Sequence, residues 1–240
     1  MKMKNMLIGG MSLALVACIS IGGTLAYLTD KTTKVENTFV ADTAIDINLK
    51  EAEVDPETGL AVKPENRREV GNSYVSIYPG KVVDKDPTVT VTSAPDDGAY
   101  VYMSLNGVNK DQMKLKYIDA AGQVKDGIDN TKWQKVTSEE GVNGIYKYIG
   151  TEENDNYKAE NGKIVLKTKD GMLQNAELPA LFDKVEFIYA NGTTPTINAV
   201  QLYAYSVQAT LSTTETKTHN VMAWEVLNPV NDDIWAQPQA

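Results

Sequence analysis

The chain has 240 residues, a hydrophobic fraction of 42%, a formal net charge of −9 and one cysteine. Scattered lysines on an acidic background give no electrostatic footprint for nucleic acid or for an anionic membrane surface. The hydrophobic fraction supports a folded core, and Cys18 on its own cannot form an internal disulfide.

The first 26 residues have the parts of a cleavable export signal. Lys2 and Lys4 give a positive start, and no charge follows until Asp30. Leu7, Ile8, Leu13, Leu15, Val16 and Ile19 supply the apolar segment, and Gly22-Gly23 interrupts it. Thr24-Leu25-Ala26 then places small side chains one and three positions before a cut between Ala26 and Tyr27. Two alternatives compete. The uncharged stretch is long enough to serve as an uncleaved anchor, although its glycines disfavour that. Leu15-Val16-Ala17-Cys18 fits a lipobox, in which Cys18 is lipidated, yet Ile19–Gly23 continues the apolar segment where a polar tether is usual. With cleavage after Ala26 the mature chain has no thiol and two fewer positive charges. The membrane is then engaged only through the leader.

Beyond the leader the pattern is β. Val35–Leu49 carries Phe39, Ala41, Ile45, Ile47 and Leu49 in near alternation, as a half-buried strand does. Glu51–Val70 is charged and holds Pro56, Gly59 and Pro64, which predicts an exposed loop. Strands are predicted at Tyr74–Tyr78, Thr88–Thr92 and Ala99–Leu105, with turns at Pro79-Gly80 and Pro95-Asp96-Asp97-Gly98. Residues 106–162 hold short apolar pieces at Leu115–Ile118, Trp133–Val136 and Ile145–Ile149, and read as hairpins inserted between framework strands. Further strands follow at Lys163–Thr168, Val185–Ala190 and Thr196–Thr210. In the last, Leu202, Ala204 and Ser206 alternate with Tyr203, Tyr205 and Val207. A short helix is expected at His219–Leu227, and 228–240 reads as a loose tail. Many short strands separated by turns, with almost no helix, predict an all-β, jelly-roll-like β-sandwich. Residues 27–240 form its single domain.

Several segments resemble one family. Gly22-Gly23-Thr24-Leu25-Ala26-Tyr27-Leu28-Thr29-Asp30, followed by Asn37-Thr38-Phe39, is similar to the leader junction of TasA/CalY (camelysin) proteins. Tyr78–Pro87, Ala99–Met103 and Ala204–Ala209 with Ala223-Trp224 resemble framework pieces of clostridial members. Residues 106–162 carry none of these motifs. The resemblance implies a SipW-type signal peptidase as processing partner and a jelly-roll domain that is secreted or at the cell surface. It also implies a role in biofilm matrix fibres, with self-assembly among copies or related subunits. There the freed N-terminal segment of one subunit completes the sheet of the next, and Tyr27, Leu28, Val35, Phe39 and Val40 are the candidate donor residues. The same residues could instead pair within their own domain as a first strand.

Enzymatic chemistry has little to stand on. The camelysin branch implies a metallo-endopeptidase, but His219 is the sole histidine and no His-Glu-x-x-His occurs. His219 reads as an exposed residue at a helix start. No Gly-x-Ser-x-Gly elbow or phosphate loop is present, so no catalytic residue, metal ligand or cofactor is assigned. Asp84 and Asp86 alternate and could offer oxygens to calcium with Asp96-Asp97 nearby, although acidic turns are more often simply solvated. Tyr100, Tyr102, Tyr203 and Tyr205 could line a carbohydrate-binding face, but packed sheet faces explain them more simply. A monomeric surface module for a glycan or host ligand, using 106–162, is the alternative to the fibre reading.

Overall fold

Alternation in Ala99–Asn106 and Val200–Gln208 builds the two strands on which the other layers rest. The computed structural model describes residues 23–26, 45–69, 71–190, 199–211 and 217–238, with single positions at 195, 197 and 215. The strands begin with β1 (Gly23–Ala26), β2 (Asp46–Val54), β3 (Ala61–Arg68), β4 (Val82–Asp84), β5 (Thr88–Ser93) and β6 (Ala99–Asn106). They continue with β7 (Met113–Ile118), β8 (Val124–Asp126), β9 (Trp133–Lys135), β10 (Gly144–Tyr148), β11 (Tyr157–Glu160) and β12 (Lys163–Leu166). Short β13 (Thr168–Lys169), β14 (Met172–Leu173) and β15 (Ala176–Glu177) lead to β16 (Lys184–Phe187) and β17 (Val200–Gln208). Helix α1 (His219–Leu227) follows, with Thr218 as its N-cap.

One antiparallel sheet runs β1-β17-β6-β10-β9, with β12 joining β6 and β11 joining β12. A second runs β15-β5-β2-β3 and a third β4-β16-β7-β8, while β13 and β14 form a separate ribbon. In β6, Ala99, Val101, Met103 and Leu105 face the main core together with Leu202 and Ala204 of β17. Opposite them lie Ile47 and Leu49 of β2, Val89 and Val91 of β5, and Val185 and Phe187 of β16. The other face of the first sheet puts Tyr102, Ile145, Tyr205 and Val207 against Ala223 and Leu227 of α1 and against Trp235. The fold is therefore an all-β, sandwich-like architecture with a short helix covering its outer face.

Four expectations change. Tyr74–Tyr78 forms no strand and includes Ser76 at positive φ (55°). Glu51–Val70 is not a loop: β2 and β3 form a hairpin, turned by Asp55, whose carboxylate accepts from the Thr58 N–H (2.8 Å) and hydroxyl (2.9 Å). Glu51 lies on the inward side of β2 after Ile47 and Leu49, and a register shift after Ala52 then places Ala52 inward as well. Residues 106–162, expected as hairpins inserted between framework strands, supply framework strands themselves, since β7 pairs with β16 and β10 pairs with β6. Trp133, from the same stretch, is buried edge-on to Tyr148.

The tail is also held. After α1 a 3-10 turn spans Pro229–Asn231, and Asn231 Nδ2 donates to Ser104 Oγ (3.0 Å) and to the Leu227 carbonyl (2.7 Å). Trp235 donates its backbone N–H to Asn228 Oδ1 (2.9 Å), and its carbonyl accepts from Trp224 Nε1 (3.0 Å). Little sequence pattern announces this because the anchor is one aromatic residue. Trp235→Ala is expected to cost about 3 kcal/mol, as a buried-tryptophan truncation does. Urea unfolding checks this as a lowered midpoint at unchanged slope; an unshifted midpoint would show the tail to be loose.

Candidate functional site

A sheet edge exposes backbone N–H and C=O groups that must pair or be hydrated. The inner edge of β17 is fully engaged with β6, from Gln201 opposite Asn106 to Gln208 opposite Ala99. On the outer edge Gly23–Ala26 adds β1, with Gly23 opposite Tyr203, Thr24 opposite Leu202, Leu25 opposite Gln201 and Ala26 opposite Val200. Among the described residues, no strand pairs with the outer edge of Ala204–Gln208. The expected cut between Ala26 and Tyr27 thus lies at the end of the strand that covers the start of β17. The candidate donor residues Tyr27, Leu28, Val35, Phe39 and Val40, like Cys18, lie outside the described residues.

The other residues singled out from sequence are occupied structurally. Asp84 Oδ2 accepts from the Ala61 N–H (2.8 Å), and Oδ1 pairs with Lys184. Asp86 Oδ1 accepts from the Ala52 N–H (2.8 Å), and Oδ2 accepts from Arg67 Nη1 (2.9 Å). Each carboxylate oxygen thus already receives a proton donor. Asp97 accepts from the Thr210 N–H (3.0 Å), and no group of His, Cys, Asp and Glu among the described residues could hold a metal ion. Tyr102 and Tyr205 are buried under α1, with the Tyr102 hydroxyl donating to Asn220 Oδ1 (2.9 Å). They are packed sheet faces rather than an open glycan platform.

The carboxylate of Glu152 pairs with Lys132 and accepts from the hydroxyls of Tyr148 (2.5 Å) and Tyr157 (2.8 Å). The exposed position expected of His219 is not observed. His219 is half-buried, with its ring edge-on to Tyr100 and Nε2 2.9 Å from the Ala209 carbonyl oxygen.

A polar cluster behind β2 escaped sequence reading altogether. Glu51 and Lys85 form an ion pair with both side chains fully closed to solvent. Asn72, also buried, places Nδ2 3.4 Å from Glu51 Oε2 and donates to the Ala52 carbonyl (2.8 Å). Its Oδ1 accepts from the Val54 N–H (3.2 Å). In sequence Lys85 sits between two aspartates before Pro87, which looks like a solvated turn. The only hint was the position of Glu51, two residues on from Leu49 in an alternating run.

No protein family, curated protein or solved structure matches this chain.

Burial pushes the His219 imidazole below its ordinary 6.5, aided by the nearby Lys147 charge and opposed by the Ala209 carbonyl. Folding therefore favours the neutral ring. The stability this contributes is present above 6.5 and is lost as pH falls from there through the folded value. His219 is the only histidine, so NMR of its ring carbons reads one titration, expected with a midpoint below 6.5. A midpoint at or above that value would contradict the packed position.

Proposed function

We propose that this protein is an exported structural protein, a subunit or accessory component of an extracellular biofilm matrix fibre that assembles by N-terminal strand donation. The observation that supports this reading is the pairing of the leader junction with the outer edge of β17. While Gly23–Ala26 remains attached, the start of that edge is covered by the chain's own backbone. A SipW-type peptidase cutting after Ala26 separates this strand from the domain and frees the segment that begins at Tyr27. The vacated edge then offers a row of unpaired backbone groups, and an extended segment from another copy satisfies them while adding alternating side-chain contacts. The stretch 27–40 contains neither proline nor glycine and carries Tyr27, Leu28, Val35, Phe39 and Val40 as apolar anchors. The role requires no catalytic group or cofactor.

Protein beginning at Tyr27 is expected to form filaments visible by negative-stain electron microscopy. Protein lacking 27–40 is expected to remain dispersed and to bind a synthetic peptide of that segment, read by fluorescence anisotropy. Filaments that persist after trimming would rule out strand donation. A dispersed mature protein that binds polysaccharide would favour the monomeric surface module.

A further inference from the structure

The buried cluster of Lys85, Glu51 and Asn72 gathers an amine and a carboxamide around the carboxylate of one glutamate, out of contact with solvent. A lysine ammonium and a glutamate carboxylate both withdrawn from water pay a large desolvation penalty as ions, and transferring the proton from one to the other relieves it. Burial accordingly drives the Lys85 amine below its ordinary value, against the pull of Glu51 and Asp86. The product of the transfer is a neutral amine, which is a nucleophile. The two oxygens of Glu51 serve two different nitrogens, Oε1 that of Lys85 and Oε2 that of Asn72. One carboxylate therefore stands between the amine and the amide nitrogen it would replace.

We propose that Lys85 and Asn72 join spontaneously in an intramolecular isopeptide bond, with Glu51 as the proton carrier. Glu51 takes a proton from the Lys85 ammonium, and the freed Nζ electron pair attacks Cγ of Asn72. The carbonyl π pair moves onto Oδ1, where the Val54 N–H already donates and steadies the negative charge. Glu51 passes its proton to Nδ2 and takes up one of the two protons still on the attacking Nζ, which keeps the other. The bond between Cγ and Nδ2 then breaks as the carbonyl re-forms. Nδ2 departs as ammonia, a secondary amide links Nζ to Cγ, and Glu51 is left as the neutral acid beside it. The step consumes no oxidant, reductant or co-reactant.

The product suits its location. Asn72 follows the hairpin of β2 and β3, whereas Lys85 follows β4 in a different sheet, so the bond would tie two sheets together. It would also convert a costly pair of buried ions into neutral, hydrogen-bonded groups. In a chain with one cysteine this supplies a covalent constraint on the unfolded state that no disulfide can give. The inference stands apart from the fibre reading and holds whether or not the protein assembles.

The test is mass spectrometry of the full-length wild-type protein after denaturation. The intact mass is expected to fall below the sequence mass by one ammonia. Succinimide formation at an asparagine also loses ammonia, so the digest decides. Trypsin is expected to leave Lys85 uncut and to release a branched peptide joining the Asn72 and Lys85 segments. Glu51→Gln and Asn72→Ala are each expected to abolish the branched peptide, with circular dichroism confirming that the variants are folded. Branched peptide at wild-type yield in folded Glu51→Gln overturns the role of Glu51. Folded wild-type protein that yields only linear peptides with intact Lys85 and Asn72 overturns the bond itself, whatever the variants do.

Discussion

The pairing of β17 with β6 is the constraint from which the other layers take their places. Its register holds from Gln201 to Gln208 without a break, so every side chain on these strands is committed to one face. Leu202, Ala204, Val101 and Met103 turn toward the main core, while Tyr205, Val207 and Tyr102 turn toward α1. A slip of one residue would exchange the two sets, leaving aromatic rings where the main core has room for aliphatic ones. The helix, the 3-10 turn and Trp235 are needed because the second face is too apolar to leave in water.

Alternation made these strands legible in the sequence, since period-two patterning reports directly on a face buried against a core. It placed β5, β6, β7, β10 and β17 close to their observed positions, and the helix from His219 to Leu227 as observed. The pattern failed where charge was used indoors. Glu51, Lys85 and Arg67 looked like solvent-facing residues, yet they serve as partners inside or between sheets. Single-sequence reading assigns charges to the surface because burial is costly unless each is matched, and the matching partners are distant in sequence. The same distance hid the connection of 106–162 to the framework, which depends on β7 meeting β16 and β10 meeting β6.

The candidate edge was half legible. Spacing around Ala26 and Tyr27 led to the expectation of a cut there, and the apolar pattern of β17 identified a strand. That Gly23–Ala26 lies along that strand is a tertiary fact, because more than a hundred residues separate them and no local propensity links the two. The buried cluster was less legible still. Its three side chains come from β2, from the segment after β3 and from the segment after β4, and only the folding of two sheets onto one another brings them together.

The two-faced character of β17 has a consequence for any strand that takes the place of β1. Residues directly opposite one another in an antiparallel pair share a face. A newcomer's side chains opposite Leu202 and Ala204 must therefore suit the rim of an aliphatic core. Those opposite Tyr203 and Tyr205 must suit an aromatic rim beside a helix. The edge thus discriminates by parity: an incoming segment shifted by one residue presents the wrong set to both sides at once, although its backbone could still pair.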